Sequence, residues 1–289
     1  MFYTPVSLAL YSATAFACSE FAARIAVRYA SPYTGALMQA VVHLIIFGLL
    51  ALSISPRPDI FNAGGWWFFA SGAFDPGFAV ICYFAAFARI GVARSATVLG
   101  TSPIFSAAAA ILFLGERPNA WVWLGTLTIV VGVGAIAYEK KGAAENKSGY
   151  AFAVLAAIMF AVSHTFRKIG LAYIPSSTTG MAIGNLGAVL ALILVLPVMP
   201  AGSRLTLHPK GLALYFIHML GIALALYMLM EGLRLGNVSV VIPLVHTFPL
   251  LVVLIAWIFL REKEQVTARL FLGSALIVAG AAVITGLGH

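Results

Sequence analysis

Ten apolar stretches, each near the length of a membrane-crossing helix, follow one another along the chain with little between them. They run roughly over 5–28, 33–54, 65–88, 92–114, 119–138, 149–172, 177–199, 210–233, 237–260 and 267–287. A helix needs about 20 apolar residues to span the hydrocarbon core of a bilayer. Ten such helices take up most of the 289 residues, leaving about eight per connection and no room for a soluble domain. Charged residues make up 9% of the chain and hydrophobic ones 62%, where soluble proteins carry roughly 25% charged residues. The solvent is therefore lipid. The stretches also far exceed the roughly ten-residue alternating strands of an outer-membrane barrel. The fold class expected is an all-α polytopic membrane protein with ten transmembrane helices. The first stretch begins near Pro5 with no basic segment before it, and it is too long for a signal-peptide core, so it reads as a retained helix.

The remaining composition narrows the partners. Cys18 and Cys82 both fall inside apolar stretches and read as small buried hydrophobes, with no disulfide framework or metal site. No cofactor is expected. The formal net charge of +8 comes from basic residues scattered at helix ends, without the dense tract that would suit nucleic acid. Trp66, Trp67, Trp121 and Trp123 stand at the starts of stretches, where amphipathic rings suit the headgroup layer.

The two halves of the chain repeat. A shift of 144 places Phe16 on Phe160, Ser19 on Ser163, Arg24 on Lys168, Tyr29 on Tyr173 and Tyr83 on Tyr227. A shift of 146 places Pro103 on Pro249, Leu114 on Leu260 and Glu116 on Glu262, and a shift of 148 places Gly125 on Gly273 and Gly132 on Gly280. The drift corresponds to one or two residues inserted per loop. The most polar connection, Glu139 to Ser148, divides a first five-helix repeat, 1–144, from a second, 145–289. Five is odd, so the second half enters the membrane in the opposite sense. Inverted repeats of this kind build secondary transporters with a site near the midplane.

The residues that repeat also carry a resemblance. Leu114-Gly115-Glu116-Arg117 closes the fourth helix, after Pro103 and before the glycine-spaced fifth helix, and Pro249 through Leu260-Arg261-Glu262 to Gly273 and Gly280 repeats the pattern. This resembles the drug/metabolite transporter superfamily, and within it the EamA-type ten-helix transporters, over essentially the whole chain. The resemblance implies a membrane transporter with both termini in the cytoplasm. It departs at one point: family members often have Trp-x-Ser-Asn-Phe in the first helix, where this chain has Ala17-Cys18-Ser19-Glu20-Phe21. It therefore implies no role for Glu20.

Ionisable groups at membrane depth cost about 2.5–3.5 kcal/mol or more and are functional candidates for that reason. Of nine acids, Asp59, Glu139, Glu145 and Glu264 lie in connections, while Glu116 and Glu262 lie at helix ends, where they can bond backbone amides of the hairpin. Glu20, Asp75 and Glu231 remain. Glu20 shares a face with Phe16 and Arg24, which allows either an internal ion pair or a place on the pathway. Its repeat equivalent is His164, and Ser19 beside it matches Ser163. Asp75 is followed by Pro76 and Gly77, which break the third helix. It can cap the half-helix beyond the break or line a cavity with Phe78, Ala79, Cys82 and Tyr83. Glu231 stands beside Arg234, as in a helix-end ion pair, and Gly180 with Gly184 suits helix packing. His43, His218 and His246 each read as satisfied core histidines, with His218 close to the repeat equivalent of Asp75.

No metalloprotease pair, nucleophile elbow or phosphate-cradling loop is present, so an enzyme is not expected. The expected function is a secondary transporter, exporting a small metabolite such as an amino acid or related organic solute by alternating access. A non-transporting membrane subunit or lipid-translocating partner is the rival reading. The expected lining is Ser19, Glu20, Asp75, Phe78, Tyr83, Ser163, His164 and Tyr227, with Glu20, Asp75 and His164 as candidates for proton coupling. Partners are then a small-molecule substrate, the lipid bilayer and protons, and the chain is expected to act as a monomer in the bacterial inner membrane. The Lys and Arg count disagrees with the orientation that the resemblance implies. Odd-numbered connections carry 12 basic residues and even-numbered ones 5, the latter including Arg167 and Lys168, which by the positive-inside rule puts both termini outside. The orientation expected is that of the family, with both termini cytoplasmic.

Overall fold

The computed structural model describes residues 4–26, 29–54, 61–90, 98–137, 147–199, 204–248, 250–251 and 268–287. Among these residues there are helices and no strands. The helices are α1 (Pro5–Ala26), α2 (Pro32–Ile54), α3 (Ala63–Gly72), α4 (Ala79–Ile90), α5 (Ser102–Leu114), α6 (Ala120–Ala137), α7 (Lys147–Tyr173), α8 (Ser177–Val195), α9 (Pro209–Leu235), α10 (Val238–Val245) and α11 (Ala268–Leu287). A widened turn over Ala73–Phe78 joins α3 to α4, so these two form one broken span, and the ten spans expected from the apolar stretches are accounted for. Helix starts follow ordinary chemistry. Asn62 Oδ1 accepts from Gly65 N, Ser176 Oγ accepts from Thr179 N, and Pro209 opens α9 where its missing N–H costs nothing.

Packing is exchanged between the halves. Helix α1 lies on α9 as α7 lies on α3 and α4; α1 also meets α10 as α7 meets α5; α2 pairs with α8, and α6 with α11. The sense of the exchange is fixed by α6 and α11, which are equivalent elements. A Cβ on Gly125 would lie 2.7 Å from the Gly280 carbonyl oxygen, and one on Gly132 would lie 2.7 Å from that of Gly273. Rising numbers on one helix meet falling numbers on the other, so the pair is antiparallel. Equivalent helices related by an axis along the membrane normal would run parallel. The repeat is inverted, with its pseudo-twofold axis in the membrane plane.

Among the described glycines, the closest backbone approach is between α3 and α8. A Cβ on Gly72 would overlap the Gly184 carbonyl, and Gly180 packs under the Phe68 ring. The glycines of α8 thus serve contact, as their spacing suggests. Large apolar side chains such as Leu49, Leu112 and Leu194 stay on the outside, where the solvent is lipid, and Trp66 and Trp121 are exposed near helix starts. Cys18 differs from expectation. It is exposed on α1, whereas Cys82 is buried, because hydropathy alone does not distinguish a lipid-facing position from an interior one.

Candidate functional site

At the break in the third span, Asp75 has extended backbone (φ −142°, ψ 120°) within otherwise helical neighbours. Pro76 has no N–H for the carbonyl one turn before it, and the N–H of Ala79, the ordinary helical donor to the Asp75 carbonyl, goes instead to the Phe74 carbonyl, so the Asp75 carbonyl lacks that donor. Arg167, from α7 of the other half, supplies one. Its Nη2 donates to the Asp75 backbone oxygen at 3.0 Å and to carboxylate Oδ2 at 2.8 Å. Both residues are buried, Arg167 at 5% exposure and Asp75 at 8%. Four residues before Arg167 on the same helix face, Ser163 donates its hydroxyl to the Ser71 carbonyl at 2.9 Å, just before the break. The broken span of the first half is therefore held by α7 of the second through two buried polar contacts.

The basic-residue count assigns Arg167 to an even-numbered connection. It lies instead inside α7, six residues before the helix ends at Tyr173. The available signal was its spacing: Arg167 follows Ser163 by four and His164 by three, which puts a guanidinium on the face of two candidate lining residues. Its partner is 92 residues away in sequence, so no local pattern pointed to the pair.

A cavity of about 10 Å³ lies against the pair, lined among others by Ser71, Asp75, Arg167, Asn185, Leu226 and Met230. That is room for one water-sized group. Asn185 donates to the Met181 carbonyl at 2.8 Å, and Arg167 Nη1 is buried without a partner among the described residues. His164 is also buried, and its Nδ1 has no partner among the described residues. Near the axis, Ser102 Oγ stands 2.7 Å from His246 Nε2, and His246 Nδ1 stands 3.0 Å from the Ile242 carbonyl. A carbonyl only accepts, so in the neutral ring Nδ1 donates and Nε2 accepts the serine proton. The same reasoning makes His218 Nδ1 a donor to the Ser19 carbonyl (3.0 Å) and His43 Nε2 a donor to the Met219 carbonyl (2.9 Å).

The expected lining residues do not all converge. Asp75, Ser163 and His164 are buried between the halves. Ser19 is buried on α1, its hydroxyl donating to the Phe16 carbonyl at 2.9 Å. Tyr227 is half-buried against the main core, and Tyr83 is half-buried on α4. Phe78 is 37% exposed and lies off the cavity, while Ala79 and Cys82 are buried. The side chain of Glu20 lies outside the described residues.

A second polar arrangement holds the α9–α10 connection. Gly115 ends α5 in the left-handed region (φ 66°), a conformation glycine adopts without penalty. The next residue, Glu116, accepts from Val238 N (2.8 Å), Ser239 N (3.0 Å) and Ser239 Oγ (2.6 Å) at the start of α10. These amides belong to the second half and not to the hairpin of Glu116 itself, which corrects the expectation. Lys168 donates to the Leu233 and Gly236 carbonyls where α9 ends. An anion thus meets a helix start and a cation a helix end, as the helix dipoles favour. Like Arg167, Lys168 is part of α7 and not of a connection. Glu231 is bound to Arg234 at 2.7 Å on the last turns of α9.

Among the described residues, no group of three or more acids, histidines or cysteines is placed to hold a metal ion. The sequence model of the EamA-like transporter family matches residues 4–138 and 147–286. Among solved structures, one crystal structure of a protein superposes with a TM-score of 0.81 at 18% identity, covering 98% of this chain and 97% of that chain. At that identity the likeness is one of fold. A comparison with curated proteins returned no match.

Proposed function

The chain belongs to the EamA-like transporter family, matched in both halves, and from that premise we propose that it is a secondary transporter exporting a small metabolite, such as an amino acid or related organic solute, across the bacterial inner membrane. Transport proceeds by alternating access, one five-helix half rocking against the other around the broken third span. The observation that carries this reading is the Asp75–Arg167 pair, a buried polar contact between opposite halves beside a cavity and a broken helix. Irregular backbone at membrane depth is tolerated where it lines a cavity or is buried in protein, and buried ionisable groups mark solute paths. The rival, a non-transporting subunit, would direct its polar groups toward lipid or a neighbouring chain. Here Asp75, Arg167, Ser163 and His164 are directed inward, which supports the carrier.

Proton coupling belongs on this reading to His164 and Asp75, with Glu20 as a third candidate; imidazole titrates nearest to physiological pH. The chain works as a monomer, since each half supplies its own share of the site. The test is counterflow in proteoliposomes holding purified protein, with amino acids, nucleosides and cationic drugs as solutes. Saturable exchange of at least one class supports the carrier. Exchange indistinguishable from protein-free vesicles for all of them overturns it.

A further inference from the structure

We infer that the cavity beside the broken third span takes the carboxylate of the transported solute, anchored on Arg167 Nη1. The inference rests on the transporter reading and narrows it to a substrate class. An acid at the centre of the first half suggests a site for cations, but the pairing removes that role. The Asp75 carboxylate and backbone oxygen both take hydrogen bonds from Arg167 Nη2, so the negative charge is answered within the protein. What remains unanswered is the other arm of the guanidinium. Nη1 is buried, has no partner among the described residues, and belongs to a residue lining the cavity.

A guanidinium keeps its proton in proteins, so Nη1 is a donor that cannot be relieved by deprotonation. Leaving such a donor buried and unsatisfied is destabilising. The group that relieves it must accept hydrogen bonds and tolerate a positive neighbour, which describes a carboxylate. The other acids whose side chains are described are engaged elsewhere: Glu116 on the α10 amides and Glu231 on Arg234. His164, three residues before Arg167 on the same helix, leaves its Nδ1 buried without a partner among the described residues. Two polar atoms of α7, Arg167 Nη1 and His164 Nδ1, are thus left open within the protein interior. At about 10 Å³ the cavity admits a single small group, so the carboxylate enters as the halves part.

The test is thermal stabilisation of the purified full chain by matched pairs: leucine, phenylalanine, glutamate and phenylpyruvate, each against its methyl ester. At least one free acid should raise the melting temperature while its ester does not. Arg167→Lys keeps a cation for Asp75 but loses the planar second arm, and should weaken that acid by at least tenfold. Because a lone charge change at this depth can prevent folding, Asp75→Asn with Arg167→Gln gives a second variant with no buried charge left unpaired; it should fold and show no acid-dependent shift. Esters that stabilise as well as acids, no shift with any acid, or an acid shift that survives in the double variant would each overturn the carboxylate site. Failure to exchange any solute in the counterflow measurement overturns the transporter reading instead, so the two failures are distinguishable.

Discussion

Thr101 and Thr247 close the same turn in opposite halves of the molecule. Each donates its hydroxyl to the carbonyl three residues before it, Val98 at 2.6 Å and Leu244 at 2.7 Å, and each also sends its backbone N–H to that same carbonyl. Ile104 N and Leu250 N then return to the Thr101 and Thr247 carbonyls at 3.0 and 3.1 Å. The offset is 146 throughout, the shift that relates Pro103 to Pro249. Both spans tighten at this point, and there Ser102 of one reaches His246 of the other. If the turns share the rocking motion, Thr101→Val and Thr247→Val should slow exchange to a similar extent. Each should cost about 0.5–1.5 kcal/mol of stability, the usual worth of one hydrogen bond. Exchange rates and melting temperatures of the two variants side by side provide the check, and a large effect at one site alone speaks against equivalent roles.

The Asp75–Arg167 pair should behave as a coupled unit. Removing one partner leaves a buried charge uncompensated, typically at about 3–5 kcal/mol, whereas removing both together costs far less. Asp75→Asn and Arg167→Gln should each lower the melting temperature strongly, and the double variant should recover much of the loss. A double-mutant cycle with additive effects would show that the contact carries no coupling.

Glu116 should matter beyond its own hairpin. Glu116→Ala removes the acceptors for Val238 N, Ser239 N and Ser239 Oγ. Loss of a helix-start acceptor costs about 0.5–2 kcal/mol. The expected result is faster protease cleavage in the α9–α10 connection, near Gly236 and Asn237. Arg117→Ala, next in sequence, should leave cleavage there unchanged.

Orientation is testable because the structure changes the count. Leaving out every basic residue built into a described helix removes Arg24, Arg89, Lys147, Lys210 and Arg269 from the odd-numbered connections, 12 − 5 = 7, and Arg167, Lys168 and Arg234 from the even-numbered ones, 5 − 3 = 2. By the positive-inside rule this asymmetry predicts the 139–146 connection on the cytoplasmic side, opposite to the orientation that the family resemblance implies. In a background without Cys18 and Cys82, Asn146→Cys should be protected from an impermeant thiol reagent in intact cells and react after lysis. Ser55→Cys, in an even-numbered connection, should react from outside.

Much of the architecture could be read before any coordinates, and particular residues explain where reading stopped. Ten spans and their inversion follow from apolar length, an odd helix count and the matched pairs from Phe16–Phe160 to Gly132–Gly280. The break at Asp75-Pro76-Gly77 was also legible, since proline and glycine act locally. The face assigned beyond it was not. Helical periodicity was carried from Asp75 to Phe78 across a residue with extended backbone, which turns the following helix, and Phe78 emerges exposed. Arg167 was overlooked for a different reason. A basic residue near a helix end looks like an orientation signal, and only a partner 92 residues distant reveals it as interior. Glu116 likewise showed its chemistry, an acceptor for backbone amides, without showing which helix supplied them.

Alternating access requires that one interior position open to each side of the membrane in turn. Ser71 provides it: buried, lining the cavity, and joined through its carbonyl to Ser163 of the other half. Ser71→Cys is nearly isosteric and, without Cys18 and Cys82, becomes the sole thiol. In proteoliposomes of uniform orientation, an impermeant maleimide added to either face alone should label it, and a transported solute should slow the labelling. Labelling from one face only, or from neither while transport continues, would contradict alternating access at this site.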